Sequence, residues 1–174
     1  MSAERLLQRF AWAPCAGGRP DHGLVHLHRE TVVPASLADT FMFFTDAANL
    51  ERLTPPWLNF RIQTRLPVVM GEGVEIAYQI VLHGWPIPWR SRIDVWEPGV
   101  RFVDRQVVGP YRWWHHEHRF EALSEGTRVS DTVEFVPRLR WLTGGRVQRD
   151  VERIFAHREI MLQQHFATMA ADVP

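Results

Sequence analysis

The stretch Arg112–Leu123, RWWHHEHRFEAL, constrains the fold more than any other part of the chain. In a β-strand alternate side chains point to opposite faces, so this stretch would place Trp114, His116, His118 and Phe120 together. A face that carries a phenylalanine should point inward, yet this one also carries two imidazoles. Because burying polar groups is costly unless they are hydrogen-bonded, the pattern predicts an interior that is partly polar or encloses something polar.

The rest of the chain predicts an α+β fold. β-rich runs separated by glycine and proline turns indicate seven strands, at 22–33, 57–66, 74–83, 89–96, 101–108, 112–123 and 127–136. Two short helices, at 37–44 and 47–53, follow the first strand. Apolar residues then recur at three- and four-residue steps from Gly145 to about Ala170, which indicates a long amphipathic helix. This order predicts a seven-stranded antiparallel sheet wrapped around the C-terminal helix, with a cavity between them.

Length and composition limit the possible functions. A chain of 174 residues suits one domain, which we expect at 22–174 after a flexible or short helical extension at 1–21. The 20 basic residues, all arginine, equal the 20 acidic ones, so no basic surface favours nucleic acid or an anionic membrane. Because the chain has no lysine, Schiff-base chemistry is excluded. No cofactor is expected.

Localisation follows from weaker signals. The longest uncharged run, 76–89, is shorter than the ~20 apolar residues of a membrane-spanning helix. The single cysteine, Cys15, cannot form an internal disulfide, which favours a cytoplasmic protein.

Seven short motifs carry a resemblance to a known family. They are ETVVP at 30–34, NLERLTPPW at 49–57, FVDRQ at 102–106, GPYRW at 109–113, HEHRF at 116–120, GTR at 126–128 and RIFAHR at 153–158. Over about 25–166 the chain resembles the START-like or SRPBCC superfamily, above all its small bacterial polyketide cyclase/dehydrase-type proteins. The resemblance implies the helix-grip fold, with a deep pocket for hydrophobic small molecules between the sheet and the C-terminal helix. It does not imply one reaction, because the superfamily contains carriers, lipid-transfer domains, cyclases and oxygenase domains.

The two inward histidines have two interpretations. His116 and His118, separated by one residue on a strand, would stand about 6–7 Å apart on one side, close enough to share a metal ion. Asp131 is the candidate third ligand, because the next hairpin brings its face beside His118. The interpretation we favour is that the histidines hydrogen-bond inside a polar-lined pocket and bind no metal.

The preceding strand offers a similar choice. If Phe102 points inward, then Asp104 and Gln106 point inward with it, next to the histidines. The alternative is that Val103 and Val107 form the apolar face and Asp104 is solvated.

Arg158 is an anomaly in the long helix. At 100° per residue it falls in the middle of the apolar stripe that includes Phe155 and Leu162. A buried guanidinium requires a negative partner, for which Asp104, Asp131 or an anionic ligand are candidates. The alternative is that the side chain bends past the helix edge to water.

Three functions are compatible with these features. The leading hypothesis is that the protein binds or carries a hydrophobic or aromatic small molecule, such as a lipid, polyketide or isoprenoid. The second is a cyclase/dehydratase-type enzyme in which His116 or His118 is the general base and Arg158 stabilises an enolate. The third is a protein-interaction module, and the chain is expected to be a monomer or homodimer. The predicted ligand-binding residues are Tyr78, Phe102, Asp104, Gln106, Trp114, His116, His118, Phe120, Asp131, Phe155, Arg158 and Leu162. Trp85, Trp89, Trp113 and Trp141 are further candidates for an aromatic lining.

Overall fold

The computed structural model of the protein describes residues 18–138 and 145–171. Most of the predicted N-terminal extension and Trp141 therefore lie outside the described residues. Arg19, near the end of that extension, donates two hydrogen bonds of 2.9 Å to the carboxylate of Glu134. The single domain at 22–174 stays a prediction.

Within the described residues the elements follow the predicted order. They are β1 (Val25–Val33), α1 (Leu37–Thr45), α2 (Asn49–Leu53), a 3-10 turn (Pro56–Leu58), β2 (Arg61–Ile62), β3 (Glu75–Leu82), β4 (Trp85–Glu97), β5 (Arg101–Val108), β6 (Tyr111–Leu123), β7 (Gly126–Pro137) and α3 (Arg146–Ala171). The strands form one sheet in the order β1-β7-β6-β5-β4-β3-β2, and every neighbouring pair is antiparallel. The predicted seven-stranded antiparallel sheet with a long C-terminal helix is confirmed.

The short helices begin where polar side chains hold free backbone N–H groups. The Ser36 hydroxyl accepts a hydrogen bond of 3.1 Å from the backbone N–H of Asp39, an N-cap of α1. Asp46 accepts one of 2.9 Å from the N–H of Ala48, and α2 begins one residue later. The predicted start of this helix at residue 47 was therefore slightly early.

The strand predicted at 57–66 is wrong over most of its length. Pro56 opens a 3-10 turn that carries Leu58 into the core, and Asn59 then has a left-handed backbone. Only Arg61–Ile62 pairs as a strand, with β3. Pro56 suits the first position of a helical turn, where its missing N–H is no loss, so local backbone chemistry outweighed the β-rich composition.

The fourth strand begins earlier than predicted and contains Pro86 and Pro88. Both prolines lie on the same face of β4 and pair with β3, whereas β5 pairs with β4 only from Arg90 onward. This end of β4 is therefore open on the β5 side, where a proline costs no ladder hydrogen bond.

The core consists of two apolar clusters under α3. One contains Phe41, Phe44, Phe102, Phe120 and Leu162, and the other Trp89, Trp114, Phe135, Val151 and Phe155. Met169, which the periodicity placed on the buried stripe of α3, is 47% exposed, and all of residues 167–170, which follow buried Phe166, are exposed. Buried polar side chains lie between the two clusters.

Candidate functional site

Five polar side chains from four elements meet in the core, of which four are buried and that of Asp104 is 16% exposed. We call Asp104 (β5), His116 and His118 (β6), Asp131 (β7) and Arg158 (α3) the polar cluster. Strand register brings them together, because Asp104 pairs with His116 and His118 pairs with Asp131. The predicted inward direction of the histidines and both aspartates is confirmed. The alternative in which Asp104 is solvated is wrong, although Val103 is also buried on the opposite face.

Each histidine of the polar cluster lies between the two carboxylates. His116 places Nε2 2.9 Å from Oδ1 of Asp131 and Nδ1 3.3 Å from Oδ2 of Asp104. His118 places Nδ1 2.9 Å from Oδ1 of Asp131 and Nε2 3.3 Å from Oδ2 of Asp104. The ring centroids are 3.8 Å apart. The four side chains thus form a closed ring of contacts.

Arg158 anchors this ring to the long helix. Its Nε donates a hydrogen bond of 3.0 Å to Oδ2 of Asp131, and its guanidinium carbon lies 5.0 Å from the ring centre of Phe44. The predicted contact with an inward aspartate is confirmed, and the alternative in which Arg158 reaches water is wrong, since the residue is only 9% exposed.

One atom of the cluster has two competing partners. Nδ1 of His118 lies 2.9 Å from Oδ1 of Asp131 and 3.2 Å from Nη2 of Arg158. It can donate to the carboxylate or accept from the guanidinium, but not both at once. With the proton on Nε2, His118 donates to Asp104 and accepts from Arg158; with the proton on Nδ1, it donates to Asp131.

The surroundings determine where the cluster carries charge. Burial opposes ionisation of Asp131, but the charge of Arg158 and the histidine hydrogen bonds hold its pKa well below its usual value. Burial also opposes ionisation of Asp104, yet hydrogen bonds from the histidines lower its pKa. Burial lowers the pKa of His118, as does the charge on His116. For His116 the bonds to both carboxylates outweigh burial and raise the pKa. The surroundings therefore favour the charged form of His116 more than that of His118, and a neutral His118 can accept from Arg158.

A second chain of hydrogen bonds joins Asp104 to β3 and β4. Ser91 donates to Oδ1 of Asp104 over 3.1 Å and accepts from the indole N–H of Trp89 over 3.0 Å. The hydroxyl of Tyr78 lies 3.4 Å from the same serine oxygen. Burial and the negative charge of Asp104 raise the pKa of Tyr78 well above its usual value, so its hydroxyl stays protonated.

An apolar cavity of about 180 Å³ lies between the sheet and α3, against the polar cluster. Aromatic and aliphatic side chains make most of its wall, among them Phe60, Ile80, Trp89, Tyr111 and Trp114. The polar part of the wall consists of Tyr78, Ser91, Asp104, His116, His118 and Arg158, with Asp46, Asn49, Thr54 and Asp150 elsewhere on the lining. Asp131 lies behind the histidines.

The predicted ligand-binding residues divide into two groups. The cavity wall includes Tyr78, Phe102, Asp104, Trp114, His116, His118, Phe155 and Arg158. The remaining candidates are buried but not part of the lining: Gln106, Phe120, Asp131 and Leu162. Gln106 instead bonds the backbone of Tyr111, and Phe120 and Leu162 pack in the apolar core. That these residues bind a ligand stays a prediction.

The tryptophan candidates also divide. Trp89 and Trp114 line the cavity, whereas Trp85 is 49% exposed. Trp113 is buried but is not part of the cavity lining, because it lies on the face of β6 that points away from the cavity. Trp141 is outside the described residues.

Several cavity residues escaped the sequence analysis, among them Tyr111 and Ser91. Strict alternation would place Tyr111 with outward-facing Trp113, but a register shift between them turns Tyr111 to the same side as Trp114. A single sequence carries little signal for such a bulge. Ser91 could have been found, because it alternates with buried Trp89 and Ile93 on β4.

A family model described as "Domain of unknown function (DUF8410)" matches residues 33–166. The match covers more than half of the chain and includes the whole polar cluster. The chain belongs to this family. No curated protein matches it in sequence.

Solved structures share the fold of this DUF8410 protein. The ZhuI aromatase/cyclase from Streptomyces sp. R1128 has a TM-score of 0.65 at 18% identity, over 80% of this chain and 91% of that one. The di-domain ARO/CYC StfQ from the steffimycin biosynthetic pathway has a TM-score of 0.65 at 16% identity, over 86% and 53%. Ara h 8.0201 has a TM-score of 0.61 at 17% identity, over 84% and 99%. At these identities the likeness shows the fold, and the START-like, helix-grip prediction is confirmed.

In the part of the chain that the structure describes, no helix is both long and apolar enough to cross a membrane.

Proposed function

We propose that this protein binds a small, mostly apolar molecule in the cavity and holds its polar end against Asp104 and Tyr78. The observation that carries this proposal is an apolar cavity with hydrogen-bonding groups gathered on one side of its wall. Small-molecule sites typically combine a hydrophobic lining with a few convergent polar groups that orient the ligand.

The size of the cavity favours the small end of the predicted ligand classes. An apolar cavity of ~150 Å³ is enough for benzene, whereas pockets for drug-sized ligands measure about 300–1,000 Å³. A volume of about 180 Å³ therefore suits a molecule with one ring, or a short branched or acyl chain. A larger lipid or fused-ring polyketide would require α3 to move away from the sheet.

The polar side chains of the cavity wall also determine which chemical groups of a ligand can bind. Asp104 is ionised and can only accept hydrogen bonds, and Tyr78 keeps a proton that it can donate. A ligand hydroxyl can donate a hydrogen bond to Asp104 and accept one from Tyr78. Arg158 already donates to Asp131, which leaves less of its guanidinium for a ligand carboxylate. The geometry thus favours a phenol or alcohol over a carboxylic acid.

Two measurements test this proposal. Native mass spectrometry of protein purified from its own host should show a bound small molecule. Calorimetric titration with monocyclic phenols should show binding that Ile80→Trp, which fills the cavity, weakens at least tenfold. The same substitution at exposed Ile160 is the matched control and should leave affinity unchanged. Absence of any bound molecule, together with Ile80→Trp affecting nothing, would contradict the proposal and favour a protein-interaction module.

The second candidate is an acid–base enzyme of the cyclase/dehydratase type. It is favoured by the contact of 3.3 Å between Asp104 Oδ2 and His118 Nε2 at the cavity wall. Because both nitrogens of His118 face polar-cluster partners, the base that the cavity presents is Asp104 rather than the imidazole. A carboxylate beside a histidine can remove a proton next to a carbonyl, but the lowered pKa of Asp104 makes it a weak base for this step. Exchange of such protons for deuterium in a cavity-sized ketone, followed by NMR, should be catalysed by the protein and abolished by Asp104→Asn; equal rates would exclude this function.

A further inference from the structure

The polar cluster also has the geometry of a metal site with three ligands. One atom from each of Asp104, His116 and His118 lies within 4.8 Å of the others. We propose that these three residues bind one divalent transition-metal ion of the Zn²⁺ or Fe²⁺ type. This site differs from the sequence-based alternative, in which Asp131 was the third ligand, and it does not depend on the proposed cavity ligand.

The spacing of the ligand atoms supports the proposal. Oδ2 of Asp104 lies 3.3 Å from Nδ1 of His116 and 3.3 Å from Nε2 of His118. With metal–ligand bonds of ~2.0–2.1 Å, two ligand atoms of a tetrahedral site stand about 3.3–3.4 Å apart. Two of the three ligand pairs already have this separation. The third pair, one nitrogen from each histidine, lies within 4.8 Å.

Asp131 supplies the partner that histidine ligands usually have on their far side. The nitrogens that face away from Asp104, Nε2 of His116 and Nδ1 of His118, both lie 2.9 Å from Oδ1 of Asp131. Metal-bound histidines commonly donate their other N–H to a carboxylate, which fixes the tautomer and the ring orientation. If both N–H groups point to Asp131, both free lone pairs point toward Asp104 and into one shared space.

Arg158 fits this arrangement as the anchor of that carboxylate. Its Nε holds Oδ2 of Asp131, so one carboxylate oxygen serves the arginine and the other serves the histidines. Nη2 of Arg158 competes for Nδ1 of His118 at 3.2 Å. Metal binding would therefore select the form of His118 that carries its proton on Nδ1, in place of the form that donates to Asp104.

The surroundings define what else such an ion would bind. Two carboxylates, one guanidinium and one divalent ion sum to a single positive charge, which a buried site disfavours unless an anion joins it. Asp104, His116 and His118 all line the cavity, so the open coordination position faces the space proposed for the small molecule. Hydroxide, phenolate or enolate would neutralise the remaining positive charge and fill the open coordination position.

A second His-x-His pair in the chain provides a matched control. His26 and His28 on β1 are separated by one residue like His116 and His118, but their side chains are 58% and 57% exposed. Adventitious metal binding would use this exposed pair, whereas the proposed site would not.

The test is equilibrium dialysis of chelator-treated, tag-free protein against Zn²⁺, with metal analysis, and visible absorption after substitution with Co²⁺. We expect one Zn²⁺ per chain and at least tenfold weaker binding in His118→Gln, with no change in His28→Gln. Asp131→Asn should weaken binding about 10–100-fold, as expected for a partner behind the ligands.

Circular dichroism checks that each variant folds; if His118→Gln does not fold, Asp104→Asn replaces it. Anomalous diffraction at the zinc edge should place the ion between Asp104, His116 and His118. Less than about 0.1 Zn²⁺ per chain, or loss of binding in His28→Gln alone, would overturn the proposal.

Discussion

The Nε of Arg158 donates a hydrogen bond of 3.0 Å to Oδ2 of Asp131, and the two side chains are 10% and 7% exposed. This pair joins the C-terminal helix to the strand β7, which lies between β1 and β6 in the sheet. Removing one member of a buried ion pair is far more destabilising than losing a surface pair, because it leaves the other charge buried without a partner. The pair therefore fixes how α3 lies across the sheet.

We predict that Arg158→Met lowers the free energy of unfolding by about 3–5 kcal/mol, because buried Asp131 then loses its guanidinium partner and keeps only its contacts with His116 and His118. Urea denaturation followed by circular dichroism measures this. Arg128→Met is the control, since Arg128 pairs with Glu121 and Glu30 at the surface and its loss should cost about 0–1 kcal/mol.

A loss below roughly 1–2 kcal/mol in Arg158→Met would contradict this structural role. Arg158 would then act mainly as a clamp for an acidic ligand, whose affinity would fall at least tenfold in the same variant. The double variant Arg158→Met with Asp131→Asn separates the two cases. Its stability should exceed that of Arg158→Met alone if the buried, unpaired carboxylate is the cause.

The polar cluster was largely predictable because regular periods determine which side chains share a face. Alternation along β5 and β6 placed Asp104, His116 and His118 inward, and the helical period placed Arg158 over them. The tight hairpin between β6 and β7 brought Asp131 beside His118, since a short turn fixes the register of its strands. Each prediction needed only local geometry, with one apolar neighbour to show which face is buried.

The features that sequence missed depend on breaks in that regularity. Tyr111 faces the cavity because β6 bulges before Trp113, and Pro86 and Pro88 fit into β4 because β5 ends before it reaches them. The choice of Asp131 over Asp104 as the partner of Arg158 depends on how far α3 lies along the sheet. Tertiary packing sets that position, which no local pattern encodes.

Gln106 is predicted to stabilise the cavity wall through the backbone of Tyr111. Its amide nitrogen donates to the carbonyl of Tyr111 over 2.9 Å, and its amide oxygen accepts from the N–H of the same residue over 3.3 Å. Gln106→Leu should lower the unfolding free energy by about 1–3 kcal/mol, because both hydrogen bonds to the Tyr111 backbone are lost. The same change at exposed Gln163 should stay within roughly 0.5 kcal/mol. Equal unfolding free energies for the two variants would rule this role out.

Gly126, at the start of β7, is predicted to tolerate no side chain. A Cβ there would collide with the backbone carbonyl oxygen of Val33, and the φ angle of +142° is one that other residues rarely adopt. Gly126→Ala should lower the unfolding free energy by at least about 2 kcal/mol, since backbone cannot yield as a flexible side chain can. Gly71→Ala, where a Cβ would meet nothing within 4 Å, is the control. Differential scanning calorimetry compares the two, and similar melting temperatures would disprove the clash.

The last prediction concerns the two tyrosines of the chain, Tyr78 and Tyr111. Tyr111 is buried and Tyr78 is half-buried at the cavity wall. Loss of hydration is the largest cause of their raised pKa values, with a further increase for Tyr78 from the charge of Asp104. In the native protein neither should ionise near pH 10, whereas both should do so in the unfolded chain. The unfolded state then loses protons that the folded state keeps, so stability is complete below pH ~10 and falls as the pH rises above it.

Absorbance at 295 nm, which reports tyrosinate, measures this directly. We expect no change in the folded protein up to pH ~10, and then a single cooperative rise that coincides with the loss of circular dichroism. In concentrated guanidinium chloride the same protein should titrate gradually around pH 10. Tyr111→Phe leaves Tyr78 as the sole reporter at the cavity wall. If Tyr78 in that variant ionises with a midpoint near pH 10 while the protein is still folded, its hydroxyl is open to water. The prediction of a raised pKa for Tyr78 would then be wrong.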